Sequence, residues 1–555
     1  MFYILQSWNI FLLGCAKLER VNIYDSIEYK LNFSNIKNSV LIVEMILTGR
    51  FSNELILNLS YGKADSTYID QIKNIKTCSN SLIELKQEKN TLKAVVKKLN
   101  IINNSIKITY EIHQKKGNSS NIHDAIVRNN LFHAPGYRIF AVPSDITKID
   151  KRNIAINFMN LDFNWRTISS YGIKDSIVLN ITFQDLLQSF YAAGKIRIYS
   201  IGNNIQPIFL SLYGNFSIED QQIALDLKEI INSQRTFFND FDFSNYTISL
   251  IEGNHPTSAG GTNLFNSFTA FFPQKSSRND YYLLCAHEHL HNWLGGKIKH
   301  KNNTLDYWFT EGFTEFYSRV IALRSKGINK DTFINEVNKI LQEYYLSPVN
   351  QEPNLIIEKE FSNNSDIKKL PYYRGFVFAL YLNNLIQKEN MQHSLDLVIY
   401  DLFKITTKQN FSSSLFKTIA RKYVKGGIES DFTSFIDQGN LINLENIMLP
   451  IKKISKGKYY LGFNEEIIVK KKIIQDIDIK SNAYRAGLRN EQKIISYDCL
   501  KSSNQICIVK TSNKTFKFYP EGYNTIEIYQ LKEKFLTVEE EQFNTFFGLK
   551  QQINY

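Results

Sequence analysis

Two histidines four residues apart, with a glutamate directly after the first, stand in Ala286-His287-Glu288-His289-Leu290-His291. On a helix, positions i and i+4 share a face with Cβ atoms about 6 Å apart, so two imidazoles can meet on one small cation. Glu288 sits beside that pair rather than on it, where a carboxylate can take a proton from a metal-activated water and hand it to a leaving amine. Tetrahedral catalytic zinc takes three protein ligands and leaves one position open. The third is offered by Trp308-Phe309-Thr310-Glu311-Gly312-Phe313-Thr314-Glu315, in which Glu311 lies 20 residues beyond His291. Glu315 falls one turn further along the same face and can accept the outer ring N–H of a histidine ligand, fixing its tautomer. The reading is one zinc ion per chain, held by His287, His291 and Glu311, with Glu288 as general base.

Other residues compete less well for such a role. Cys285 and His289 also stand at i and i+4, but on another face and with no third partner, so Cys285 reads as core and His289 as packing or support. His300 lies in a Lys/Asn-rich loop and reads as exposed. His113, His123 and His133 fall at no ligand spacing and read as surface or turn histidines.

The elements that must carry these residues follow from hydrophobic periodicity. Ser277 or Asn279 can cap a helix whose apolar stripe includes Leu283, Leu284, Leu290 and Leu294, with Gly295-Gly296 as its stop. Upstream, residues 21–213 read as strand after strand, β-branched runs such as SLIELKQ, TLKAVVKKL and SIKITYEIH separated by Asn, Ser and Gly turns. Near Ser217, a candidate helix cap, the period becomes helical, and residues 214–450 read as a mainly helical catalytic domain. Residues 451–555 return to short strands in a small separate module. The expectation is a multidomain α+β chain.

Composition limits the alternatives. A chain of 555 residues with 43% hydrophobic and 13% aromatic residues is globular rather than disordered. The net charge of +12 is spread over isolated lysines, with no Arg-rich arm, so a solvated surface rather than a nucleic-acid footprint is expected. Five widely separated cysteines do not suggest a disulfide framework. Residues 1–20 form an apolar stretch too short to span a bilayer, and Leu12-Leu13-Gly14-Cys15 is similar to a bacterial lipoprotein cleavage box. No Lys or Arg precedes that stretch, and a buried N-terminal strand is the competing reading. The expectation is a cell-envelope or periplasmic location, with membrane attachment only through a lipid on Cys15, and otherwise a cytoplasmic one.

An HExxH helix followed by a glutamate in EGFTE resembles the gluzincin metallopeptidases, which include thermolysin and the aminopeptidase N family. Here 19 residues separate His291 from Glu311, against the usual 18 of aminopeptidase N relatives, and His291-Asn292-Trp293 is similar to the glycyl-aminopeptidase family. That resemblance implies a β-rich N-terminal domain, a thermolysin-like catalytic domain and a C-terminal PDZ domain acting on peptide or protein substrates. It implies that Tyr372, in Pro371-Tyr372-Tyr373-Arg374-Gly375, stabilises the tetrahedral oxyanion, with Tyr373 as the fallback. It also implies that Gly260, Gly261 and Asn263 lie on a strand that pairs with an extended substrate. Relatives carry a glutamate where Asn263 stands, a charge that grips the substrate's α-amine, so aminopeptidase and endopeptidase activity both stay open. Leu461-Gly462-Phe463 resembles a PDZ carboxylate-binding loop, which implies capture of C-terminal peptides there. A peptide-binding protein with a non-catalytic zinc site is the third reading.

Overall fold

Alternating apolar and polar residues carry the first part of the chain into sheets, as in Ser105–His113, where Ile106, Ile108, Tyr110 and Ile112 all turn inward. The computed structural model describes residues 22–549 except 53, 60–70, 78–81, 89–90, 98–100, 116–121, 148, 204, 254–258, 301–303 and 500–505. The signal-like segment 1–20, with Cys15, lies outside the described residues. The chain divides into two units: residues up to Asn215 together with Phe243–Gln274, and Phe216–Asp242 together with Lys275–Tyr555.

The first unit is a stack of β-sheets. A six-stranded sheet combines β1 (Ile23–Asn32), β2 (Val40–Arg50), β4 (Ile72–Thr77), β7 (Ser105–His113), β11 (Lys151–Met159) and β13 (Ser176–Thr182) in the order β13-β11-β1-β2-β7-β4. A four-stranded sheet, β10-β3-β6-β5, joins β3 (Glu54–Asn58), β5 (Leu82–Glu88), β6 (Thr91–Lys97) and β10 (Val142–Pro143). The two share one core that includes Tyr29, Leu31, Val43, Leu57, Ala94 and Val96. A third sheet, β12-β14-β9-β8, contains β8 (Ile126–Arg128), β9 (Leu131–Pro135), β12 (Arg166–Ser169) and β14 (Phe190–Gly194), with the short helix α1 (Phe183–Leu187) before β14. His133, on β9, is 1% exposed and stacks on Phe190, so it is a core histidine and not the surface or turn residue its sequence context suggests.

The fourth sheet moves an expected boundary. β15 (Arg197–Ser200), β16 (Ile208–Tyr213), β17 (Tyr246–Glu252), β18 (Gly260–Leu264) and β19 (Ser267–Phe272) form the order β15-β16-β17-β19-β18. The sequence reading gives residues 246–272 to the catalytic domain. Parallel pairing of β16 with β17 and of β17 with β19 instead extends a sheet begun before residue 214. Parallel neighbours need a long crossover, and α2 (Asp220–Phe238) supplies it from residues that belong to the second unit. Ser217 does not cap α2; the N-cap is Glu219, and the Ser217 hydroxyl donates to the Ser276 carbonyl.

The second unit is mainly helical: α3 (Arg278–Leu290), α4 (Tyr307–Thr310), α5 (Gly312–Arg324), α6 (Lys330–Leu346), α7 (Asn354–Glu360), α8 (Ser365–Glu389), α9 (Leu395–Thr406), α10 (Ser413–Ala420) and α11 (Glu429–Phe432). Its C-terminal part pairs β20 (Ile451–Tyr459) with β24 (Glu521–Leu531), and adds α12 (Glu465–Lys471), α13 (Asn482–Arg485) and the sheet β21 (Ile494–Asp498), β22 (Cys507–Thr511), β23 (Thr515–Phe518). The cysteines form no framework among the described residues, but one disulfide joins Cys499 and Cys507, eight residues apart beside the antiparallel β21–β22 ladder.

Side chains of the preceding helices hold this C-terminal part by its backbone. Asn338 on α6 donates to the Leu531 carbonyl (3.1 Å) and accepts from the Leu531 N–H (2.7 Å), acting as one more ladder residue at the end of β24. The last helix, α14 (Thr537–Phe546), buries Phe543, Phe546 and Phe547. The Phe547 carbonyl accepts from Arg324 Nε of α5 at 2.7 Å, and the Phe546 carbonyl accepts from Asn383 (3.0 Å) and Gln387 (3.2 Å) of α8. Among the described residues, no helix is long and apolar enough to cross a membrane.

Candidate metal centre

α3 begins where the sequence sets its cap: Ser277 accepts from the Asp280 N–H, and the Asp280 carboxylate accepts from the Ser277 N–H. It ends at Leu290, short of Gly295-Gly296, with His291 in the C-cap position. Its far end is fixed from α2. Gln234 donates to the Ala286 carbonyl at 2.8 Å while its oxygen stands 2.6 Å from His289 Nδ1, and Asp240 accepts from the Trp293 indole at 2.7 Å. His289 therefore supports the helix, and Cys285 is buried core. His300 is half-buried, its ring set edge-on to Tyr307, rather than exposed.

Glu311 occupies the join between α4 and α5, where the helical hydrogen bonds Glu311 N–H to Tyr307 and Glu315 N–H to Glu311 continue. Nε2 of His287 and Nε2 of His291 are 3.0 Å apart, and Glu311 Oε2 is 3.4 Å from the first and 3.5 Å from the second. Three donors at about 2.1 Å from a common tetrahedral centre stand about 3.4 Å from one another. The donor set thus fits zinc in both chemistry and size, and it is the one such group among the described residues. The outer ring nitrogens are directed as well. His291 Nδ1 is 3.0 Å from the Leu294 carbonyl, an acceptor only, so a neutral ring carries its proton on Nδ1 and presents a lone pair at Nε2. His287 Nδ1 is 3.4 Å from Glu315 Oε1, an ion-pair distance without a hydrogen bond.

Two glycines let the next piece approach. A Cβ on Gly375 of α8 would stand 1.9 Å from the Trp308 carbonyl oxygen, and one on Gly312 would stand 2.3 Å from Gly375 Cα. With neither present, α8 crosses the α4–α5 join in backbone contact, and the Tyr372 ring stacks near His287 at 6.0 Å between centroids. Burial and the neighbouring Glu311 carboxylate hold the Tyr372 hydroxyl well above the usual tyrosine range, so it is a proton donor at all ordinary pH. Tyr373 is also pushed up by burial, but its carboxylate neighbours are Glu343 and Glu315 and not Glu311 or Glu288.

The charges divide in the same way. Burial pushes the Glu288 carboxyl up, against the pull of His287 and His291. Burial also opposes ionisation of Glu311, but His291 and His287 outweigh it and hold Glu311 well below the carboxylate range. Burial opposes charge on His291 too, yet Glu311 raises it to about 9. Two further residues join the site without any signal from the metal motif: Arg319, hydrogen-bonded to Glu315, and Glu336 of α6, which accepts from Arg319 at 3.1 Å. The spacing of Glu315 and Arg319, one helical turn, was the only hint the sequence held.

Residues 230–438, which contain every one of these metal-centre residues, match the family model described as Peptidase family M1 domain. The chain carries a peptidase family M1 domain. It is on that ground a zinc metallopeptidase, a hydrolase. An aminopeptidase N family protein from Idiomarina loihiensis shares its fold over 94% of this chain and 99% of its own, with a TM-score of 0.70 at 14% identity. An M1 zinc metallopeptidase from Deinococcus radiodurans aligns over 77% of this chain and 97% of its own (TM-score 0.48, 14% identity). Yeast LTA4 hydrolase in complex with bestatin aligns over 77% and 69% (TM-score 0.48, 14% identity). Curated protein sequences gave no match.

The remaining expected site residues lie elsewhere in the chain. Gly260, Gly261 and Asn263 are on β18, which pairs only with β19 among the described residues and so forms a sheet edge. Leu461 and Phe463 are buried in the C-terminal core, and Gly462 takes a φ of +82° against Ser481. The residues that follow are helical, with Asn464 capping α12 by accepting from the Ile467 N–H. A carboxylate-binding loop of the expected kind leads into a strand that receives the peptide; here α12 stands in that position.

Proposed function

We propose that this chain removes residues from the free N-termini of peptides, with Glu288 as general base and Tyr372 as the oxyanion donor. The observation that carries the reading is the donor set of His287, His291 and Glu311 with a buried Glu288 on the same helix, a carboxylate that a purely structural metal site does not require. His287, His291 and Glu311 hold one zinc ion per chain. The chemistry such an ion supplies is Lewis acidity, which polarises a scissile carbonyl and lowers the pKa of an attacking water. Glu288 takes the proton of that water on its carboxylate and delivers it to the leaving amine. The Tyr372 hydroxyl donates to the oxygen on which charge develops. Glu315 keeps the His287 ring turned so that Nε2 faces the ion.

As the resemblance implies, Gly260, Gly261 and Asn263 offer a strand edge with which the backbone of an extended peptide can pair. Asn263 can accept a hydrogen bond from an α-amine but brings no charge, so discrimination for a free N-terminus is weaker than a glutamate would give. The 19-residue spacing and the His291-Asn292-Trp293 sequence support the glycyl-aminopeptidase branch over the aminopeptidase N branch. The Cys499–Cys507 disulfide supports an oxidising compartment such as the cell envelope.

Matched peptides with free and acetylated N-termini test the specificity, and Glu288→Gln tests the chemistry. Free peptides are expected to be cleaved faster; equal rates make the enzyme an endopeptidase. Glu288→Gln is expected to keep its zinc and lose about 10²–10⁴-fold in hydrolysis rate. Zinc-loaded protein with undiminished turnover removes Glu288 from the mechanism.

A further inference from the structure

A glutamate has three rotatable side-chain bonds, and an isolated one has no reason to keep a particular oxygen on a neighbouring imidazole. Glu315 holds Oε1 3.4 Å from His287 Nδ1, within charge attraction but not hydrogen-bonded, and its other oxygen, Oε2, accepts from Arg319. Arg319 stands one turn later on α5, and the same Nη1 also donates to the Glu315 backbone carbonyl at 3.1 Å. Its second arm, Nη2, donates to Glu336 Oε2 on α6 at 3.1 Å. The guanidinium is therefore held from two helices, and its side chain is only 11% exposed.

An i,i+4 ion pair on a helix surface is commonplace and moves freely in solvent. This one differs in two respects: it is largely withdrawn from water, and the carboxylate it grips is the one that addresses the His287 ring. A planar fork bound at both ends also fixes direction, which a flexible ammonium does not. We propose that Arg319 is a positioning residue for the metal centre, which orients Glu315 on His287 and is itself anchored by Glu336, so that α6 takes part in setting the ligand geometry. The proposal rests on the reading of His287 as a zinc ligand.

Zinc affinity tests it directly. The full-length protein is stripped of metal and titrated with zinc in competition with a chromogenic chelator, for wild type, Arg319→Met, Arg319→Lys and Glu336→Gln, with the melting temperature of each metal-free protein recorded alongside. Loss of an outer partner of a metal-binding histidine weakens binding by about 10–100-fold. Arg319→Met is expected in that range, Arg319→Lys to recover part of the loss, and Glu336→Gln to weaken binding by roughly a few-fold in the same direction. Glu336→Gln, which leaves the Arg319–Glu315 pair in place, reads the effect should Arg319→Met not fold. Wild-type affinity in Arg319→Met or, where that variant does not fold, in Glu336→Gln overturns the proposal, including the case in which only the melting temperature falls. A wild-type protein that takes up no zinc overturns the metal-site reading itself, and the Arg319 proposal with it.

Discussion

Two buried histidine environments in this chain have opposite characters. His133, on β9 in the first unit, stacks on Phe190 in an apolar surround, and burial lowers its pKa to about 4. His291, at the end of α3, keeps 16% of its side chain exposed, and Glu311 raises it to about 9 against the effect of burial. Burial alone makes a neutral, inert ring. A carboxylate opposite the ring favours a positive charge between the two, which either a proton or a cation can supply. The difference lies in what stands opposite the ring, and so it can be broken or sharpened at either place.

The largest effect is expected at the ligand pair. His291→Ala should leave fewer than three protein donors, reduce bound zinc to a small fraction of one equivalent and cut peptide hydrolysis by at least about 10³-fold, on the scale of losing a whole catalytic group. Metal analysis and turnover on one peptide check both. Tyr372→Phe should keep its zinc and lose about 10²–10³-fold in kcat, the usual cost of one oxyanion donor, whereas Tyr373→Phe should stay near wild type. Equal losses in the two would reassign the donor.

Gly375→Ala probes the approach of α8 to the α4–α5 join. A methyl group directed at the Trp308 carbonyl has to push the helices apart, and a displacement of about 1 Å at a reacting group can cost about 10²-fold in kcat. The smallest effect belongs to His133. Its folded pKa lies below its unfolded one, so the unfolded chain binds the extra proton first, and stability present above pH 6.5 is lost as the pH falls towards 4. The shift corresponds to roughly 3 kcal/mol at full effect. Across that interval the wild-type melting temperature should fall with pH relative to that of His133→Phe; parallel curves would mean that the ring titrates alike in the folded and the unfolded chain.

The metal-binding residues were legible in the sequence because a helix converts spacing into direction: His287 and His291 share a face by period alone, and Ser277 with Asp280 announces where α3 starts. Glu311 is legible from its spacing after His291, and Tyr372 only through motif resemblance, since nothing local says that α4–α5 and α8 must touch; Gly312 and Gly375 do, but only once their backbones are seen side by side. Glu336 gave no signal, because its partner lies on another helix. His133 was misjudged for a similar reason. The strand Leu131–Pro135 is buried on both faces, so the alternation that marks a surface position is missing. The boundary near residue 214 was displaced by a crossover, and pairing between β16 and β17 is invisible to any local pattern. Leu461-Gly462-Phe463 has the residues of a known loop, while the eight or so residues after it set what such a loop can do.

The hold on α14 has an evolutionary corollary. Arg324, Asn383 and Gln387 grip peptide carbonyls at 546 and 547, and every amino acid offers the same carbonyl. Polar residues on that helix can drift without disturbing the grip. An inserted or deleted residue cannot be absorbed so easily, because each one turns the helix by about 100° and carries Phe543, Phe546 and Phe547 off the face they fill. Length should therefore be preserved here more strictly than identity.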